Sequence, residues 1–157
     1  MKNTETAFLW IVDILRKHDI PFQIGGGFAA RLYGATRELA DIDIDIPEDR
    51  FSEIIPDVKG HIKFGPTQYK DQHWDLFLLT LSYEGQDIDL AGAYDCKIFD
   101  EDKKEWVTIS DDFTTARMMD AYGIAVPVMD REALIVYKKM LGRDVDKIDV
   151  EQILALS

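Results

Sequence analysis

At 157 residues, 46% of them hydrophobic, the chain can bury one compact core and is expected to form a single domain over 1–157. Its 18 basic residues stand against 30 acidic ones, a net charge of −12 that repels phosphate backbones and argues against nucleic acid as a bulk partner. Cys96 is the only cysteine, no Cys/His cluster has zinc spacing, and no apolar run reaches membrane length, so a soluble protein of the reducing cytoplasm, without a membrane partner, is expected.

Residues 4–18 carry Phe8, Ile11, Val12 and Leu15 at helical spacing, with Thr4 or Thr6 available as a cap. Pro21 ends that helix and starts a strand over 22–24, three glycines follow, and 28–33 reads as a two-turn helix closed by Gly34. Asp41–Ile46 is the second strand, stopped by Pro47, and 48–55 reads as a helix with Phe51, Ile54 and Ile55 on one side. Trp74–Tyr83 and Asp87–Tyr94 are strand-like and flank a turn at Glu84-Gly85-Gln86. A second hairpin is expected from 97–99 and 106–109 around a polar loop. Residues 124–129 form a strand that Pro127 assigns to a sheet edge. Helices over 131–141, capped by Asp130 and ended by Gly142, and over 144–156 close the chain. This order implies an α+β fold, an α/β sandwich in which helices pack on a mixed sheet.

The chemistry concentrates in Ile24–Ile46. Gly25, Gly26 and Gly27 precede a short helix and offer unhindered backbone N–H groups, although a tight turn needing positive φ explains them equally. They lack the later spaced glycine of a dinucleotide fingerprint and the Gly-Lys-Ser/Thr of a Walker loop. Asp41, Asp43 and Asp45 alternate with Ile42, Ile44 and Ile46, so one strand face carries charge while the other packs into the core. Three like charges on one face are costly unless a cation sits among them. An EF-hand loop is excluded by Ile46 and Ser52 at its required glycine and glutamate places. A solvated edge strand is the bland alternative.

Gly26-Gly27, a spacer, then Asp41-Ile42-Asp43, with a third carboxylate in Ile88-Asp89-Leu90, resembles the DNA polymerase β-like nucleotidyltransferase superfamily. Arg37, Val126-Pro127-Val128, Tyr137-Lys138 and Leu141-Gly142-Arg143 are similar to positions in its minimal, single-domain members, which include lincosamide-modifying enzymes and toxin–antitoxin components. Gly27 departs from the serine often found there, and Asp45 is an extra acid.

The resemblance implies a Mg²⁺-dependent transfer of a nucleoside monophosphate from an NTP to a hydroxyl, with two Mg²⁺ ions. Asp41 and Asp43 would hold both ions, and Asp89 would complete the catalytic one or act as general base. Gly26 and Gly27 would cradle phosphates that Arg37 or Lys138 neutralises. Asp87 is the reserve third carboxylate. His73 reads as structural, and Arg143 with Asp146 and Asp149 reads equally as a salt-bridged helix start. The acceptor is left open between an antibiotic-like small molecule and a macromolecule such as a protein or tRNA, and a degenerate member that only binds nucleotide or a partner is the reading from another class.

Overall fold

The computed structural model describes residues 1–156. Helix α1 (Thr4–Lys17) starts at Asn3, whose side chain accepts from the Thr6 backbone N–H, and buries Ala7, Phe8, Ile11, Val12, Ile14 and Leu15. Strand β1 (Gln23–Gly25) leads directly into α2 (Gly26–Leu32), and β2 (Asp41–Ile46) follows. The helix expected over 48–55 is instead a 3-10 turn, Glu48–Arg50, and then α3 (Phe51–Val58). Pro56 lies inside α3 at its last turn but short of its end.

Strand β3 (Ile62–Lys70) was not evident from the sequence, because Gly65-Pro66 interrupts its alternation. The structure absorbs that interruption as register shifts between Ile62 and Thr67 against its partner strand. Strands β4 (Trp74–Tyr83) and β5 (Gln86–Gly92) form the expected hairpin, and Glu84 and Gly85 both have positive φ, the geometry a two-residue turn needs. Strands β6 (Cys96–Asp100) and β7 (Glu105–Ile109) form the second hairpin. Strand β8 (Arg117–Ala121) pairs with β9 (Ile124–Val128) across Tyr122-Gly123, again with both φ positive.

The sheet order is β7-β6-β4-β5-β2-β1-β9-β8, with β3 also paired to β4. Two pairings are parallel, β2 with β5 and β1 with β9, so the sheet is mixed as expected. The expected edge position of 124–129 is corrected: β9 lies between β1 and β8. It meets β1 at Ile24 opposite Val128, so Pro127 leaves that short contact intact, while β8 supplies the outer edge.

Ile42, Ile44 and Ile46 are fully buried, together with Ile88 and Leu90 of β5 and Leu79 and Leu81 of β4. Each such aliphatic side chain contributes roughly 1.5–3 kcal/mol relative to exposure. These residues share one core with α1 and α3. The aspartates of β2 therefore project from the opposite sheet face, toward the last two helices, α4 (Arg131–Leu141) and α5 (Asp144–Ala155). Asp130 caps α4 by accepting from the Glu132 and Ala133 backbone N–H groups, and Gly142 ends it in the left-handed conformation.

Candidate active site

Parallel register sets Asp43 of β2 beside Asp89 of β5, and the antiparallel pairing sets Thr80 of β4 beside Asp89. Phe64 of β3 lies opposite Thr80, so Gly25, Asp43, Asp89, Thr80 and Phe64 form one row across five strands. The Thr80 hydroxyl donates to Asp89 Oδ1 at 2.7 Å and fixes its carboxylate. The Gly27 backbone N–H donates to Asp43 Oδ2 at 3.3 Å.

Gly26 sits at φ +53°, and a Cβ there would stand 2.2 Å from Asp43 Oδ2. A Cβ at Gly27 would lie 2.9 Å from a terminal nitrogen of Arg37. The two glycines thus do different work: one lets the turn lie against Asp43, the other admits the Arg37 guanidinium over the first turn of α2.

A cavity of about 620 Å³ opens on this face. Gly26, Gly27, Arg37, Asp41, Asp43, Asp89 and Lys138 all line it, although they come from four elements and one loop. Asp87, the reserve carboxylate, shares the strand face of Asp89 and lies in register beside Asp41, but it stands outside the cavity lining and pairs with Lys63 at 2.8 Å. His73 also lies off this cavity. Its backbone N–H donates to Asp71 Oδ1, and its Nδ1 is buried. Trp10 stacks on Tyr83, and Phe8 is core.

Asp45, the extra acid near the end of β2, belongs to the same site. It lines the same cavity and accepts from Gln23 Nε2 at 3.3 Å, while the same amide donates to Asp111 at 2.7 Å. That bridge was invisible in the sequence, because Asp111 is far from both partners along the chain.

Electrostatically the floor of the cavity needs positive charge. Burial, with the Asp89 and Asp41 carboxylates beside it, pushes the Asp43 pKa up to about 8. Burial also raises Asp45 to about 7 against the Gln23 bond, with Asp111 adding to the rise. Asp41 rises through burial and the neighbouring Asp87, and Asp89 rises through burial despite the Thr80 bond. The hydrogen bonds to Asp43, Asp45 and Asp89 all come from neutral donors.

This donor set fits Mg²⁺. It consists of hard carboxylate oxygens, and the glycine turn keeps side chains off Asp43. Among the described residues no three His, Cys, Asp or Glu side chains converge as a finished cage. Mg²⁺ characteristically takes one or two carboxylates and completes its shell with water and phosphate oxygens.

The opposite wall is cationic. Lys138, only 1% exposed, places Nζ 3.2 Å from Asp146 and 3.0 Å from Asp149. Arg37 pairs with Asp149 at 2.8 Å. Arg143 pairs with Asp146 at 2.7 Å and closes a capping box at the start of α5, as its salt-bridged reading anticipated, yet it also lines the cavity. The sequence pattern gave no sign that Arg143 faces the same space as Asp43. Only the packing of α4 and α5 over the sheet does that.

No protein-family profile matches the sequence, and no curated protein is detectably similar to it. Solved structures are. A provisionally assigned nucleotidyltransferase from Thermotoga maritima superposes with a TM-score of 0.71 at 21% identity, covering 100% of this chain and 97% of that one. The chain has the nucleotidyltransferase fold. The lincosamide antibiotic adenylyltransferase LnuA, solved with lincomycin bound, shares this fold at a TM-score of 0.66 and 14% identity, covering 100% of this chain and 99% of that one. ANT(2'')-Ia, solved in complex with adenylyl-2''-tobramycin, shares it at 0.60 and 20%, covering 99% of this chain and 91% of that one. The nucleotidyltransferase fold therefore spans the whole described chain, and the α+β class expected from element order is the one observed.

Proposed function

We propose that this protein is a Mg²⁺-dependent nucleotidyltransferase that moves a nucleoside monophosphate from an NTP to a hydroxyl of a small-molecule acceptor. The observation that carries the reading is the convergence of Asp41, Asp43 and Asp89 with Gly26, Gly27, Arg37 and Lys138 on one cavity. Acidic floor and cationic wall face each other, the polarity a metal-bridged triphosphate requires.

Asp41 and Asp43 would hold the metal, with Asp89 completing the ligand set on the acceptor side. Mg²⁺, when bound, neutralises the phosphate oxygens and lowers the pKa of the attacking hydroxyl. The acceptor oxygen forms a bond to the α-phosphorus, the α–β bridging bond breaks, and pyrophosphate leaves with its charge facing Arg37 and Lys138. In place of that ligand role, Asp89, oriented by Thr80, would serve as the general base that takes the hydroxyl proton. Gly26 and Gly27 let phosphate oxygens approach the backbone, since no side chain stands there.

A cavity of about 620 Å³ is of the size that encloses a small molecule, which favours a compact acceptor over a macromolecule. The antibiotic acceptors of the structural neighbours agree in kind. Cys96, half-buried at the cavity, has its thiol pKa pushed up to about 12, mainly by burial, which keeps it in the thiol form and suits a reducing cytoplasm. Among the described residues no helix is long and apolar enough to cross a membrane.

The test is Mg²⁺-dependent transfer of label from an α-labelled NTP to a panel of hydroxyl acceptors, beside calorimetry of NTP binding with Mg²⁺ and with EDTA. Transfer and metal-dependent binding are expected. Binding without transfer across a broad panel would leave a nucleotide-binding protein, and equal affinity with and without Mg²⁺ would defeat the metal bridge.

A further inference from the structure

Asp146 and Asp149 lie one turn apart on α5, and neither side chain has any exposed surface. Burying two carboxylates is costly unless each is paired and hydrogen-bonded. Arg37 donates to both oxygens of Asp149, from Nε at 2.8 Å and from a terminal nitrogen at 3.0 Å. Arg143 does the same to Asp146, at 2.7 and 3.0 Å. Between them stands Lys138, within ion-pair distance of both carboxylates. The result is a continuous row, Arg37, Asp149, Lys138, Asp146, Arg143, with one positive charge in excess.

The row is two-layered. All three cations line the cavity over the aspartate floor, whereas the two carboxylates stand behind them, outside its lining. Each arginine spends one edge of its guanidinium on its carboxylate, which leaves further N–H groups for the cavity. Arg37 reaches over Gly27, and Arg143 lies on the Trp74 ring at 4.7 Å, so both ends are pinned a second time. Stability alone does not call for such a row, since apolar residues of similar volume replace buried ion pairs at little cost or with gain.

We propose that Asp146 and Asp149 are positioning residues that fix Arg37, Lys138 and Arg143 as one rigid wall for a polyphosphate chain, with Arg143 the third cation of that wall. This rests on the nucleotide reading of the cavity. A single phosphate engages one part of the row, whereas a chain of three spans more of it, so the wall discriminates by phosphate number.

The experiment is calorimetry in Mg²⁺ with inorganic tripolyphosphate, pyrophosphate and orthophosphate, which removes any dependence on the base. The wild type is expected to bind tripolyphosphate most tightly and orthophosphate least. Arg143→Gln should weaken tripolyphosphate on the order of tenfold while barely moving orthophosphate, the scale of a lost charge-assisted bond. Asp149→Asn should change this phosphate-number dependence at least as much as Arg37→Gln, since Lys138 loses a partner too, and the double variant should be no worse than Asp149→Asn alone, because Arg37 acts through Asp149. A merely structural role would lower the melting temperature without changing the ratio among the three phosphates. Should Asp149→Asn fail to fold, Arg143→Gln, altered at a partly exposed side chain, decides the matter. Tripolyphosphate affinity within twofold of wild type in Arg143→Gln, or equal losses for all three phosphates, would overturn the wall alone. No tripolyphosphate binding by the wild type would overturn the nucleotide reading and the wall with it.

Discussion

Asp43 and Asp89 sit side by side in register yet carry different neighbours, and their substitutions should separate. Asp43 meets the glycine turn, so Asp43→Asn is expected to weaken Mg²⁺-dependent NTP binding and to abolish transfer together. Asp89 is held from the far side by Thr80, so Asp89→Asn should leave NTP affinity within about a few-fold while turnover falls on the order of a hundredfold or more. Calorimetry paired with a single-turnover assay checks this, and full activity in Asp89→Asn alongside loss in Asp87→Asn would reassign the third carboxylate. Asp45→Asn should cost less than Asp43→Asn, since Asp45 is one step further along β2 and already shares the Gln23 amide with Asp111. Equal inactivity of the two would mean that the metal pair is Asp43 with Asp45. The alternation in DIDIDI made the charged face legible, because a strand period of two leaves no other arrangement. The Gln23–Asp111 bridge was not legible: nothing local in the sequence ties residues 23 and 111, and only sheet closure brings them together.

At the scale of elements, the β1–α2 turn is the tightest joint of the site. Gly26→Ala must hold a left-handed φ, costing about 1–2 kcal/mol, and must also displace the Asp43 carboxylate. The variant is expected to fold with a lowered melting temperature and to bind Mg²⁺-NTP at least about tenfold more weakly, a loss calorimetry can read. Helix α5 carries a pH dependence. Burial alone would raise the Asp146 pKa, but the Arg143 bond and the Lys138 and Arg143 charges outweigh it and hold the carboxyl below its usual range. A depressed folded-state pKa gives stability that is present above the ordinary carboxylate pKa and lost as pH falls through the folded value. The melting temperature of the wild type should therefore drop as pH is taken below about 4, and Asp146→Asn, less stable at neutrality, should show a shallower drop over that window. Helices with clear caps and the β4–β5 hairpin were readable because their signals are local. Strand β3 escaped because Gly65-Pro66 reads as a break. Strand β8, RMMDA, escaped because it has no β-branched residue, and its pairing with β9 supplies what propensity does not.

Over the whole molecule, charge is distributed unevenly in depth, and this decides which anions the protein admits. The net charge is −12, yet three of its cations line one cavity, held there by Asp146 and Asp149. Outside the cavity, several basic side chains are taken up by acidic neighbours, as in Lys63 with Asp87, Lys17 with Asp57 and Arg117 with Asp130. A long phosphate backbone meets a repulsive surface before any segment of it reaches that wall, whereas a compact Mg²⁺-triphosphate, with about half of its charge cancelled by the ion, is repelled far less. Non-specific nucleic-acid binding depends on many Lys and Arg contacts that release counterions, and this surface offers no field to assemble them. In a gel shift at micromolar protein and physiological salt, neither duplex DNA nor tRNA should be retarded, while Mg²⁺-NTP binding measured in the same buffer persists. Lowering the salt should not rescue the shift, because weaker screening strengthens the repulsion as well. Retardation with a steep inverse salt dependence would reveal a basic surface outside the cavity and would make a macromolecular acceptor such as tRNA the better reading.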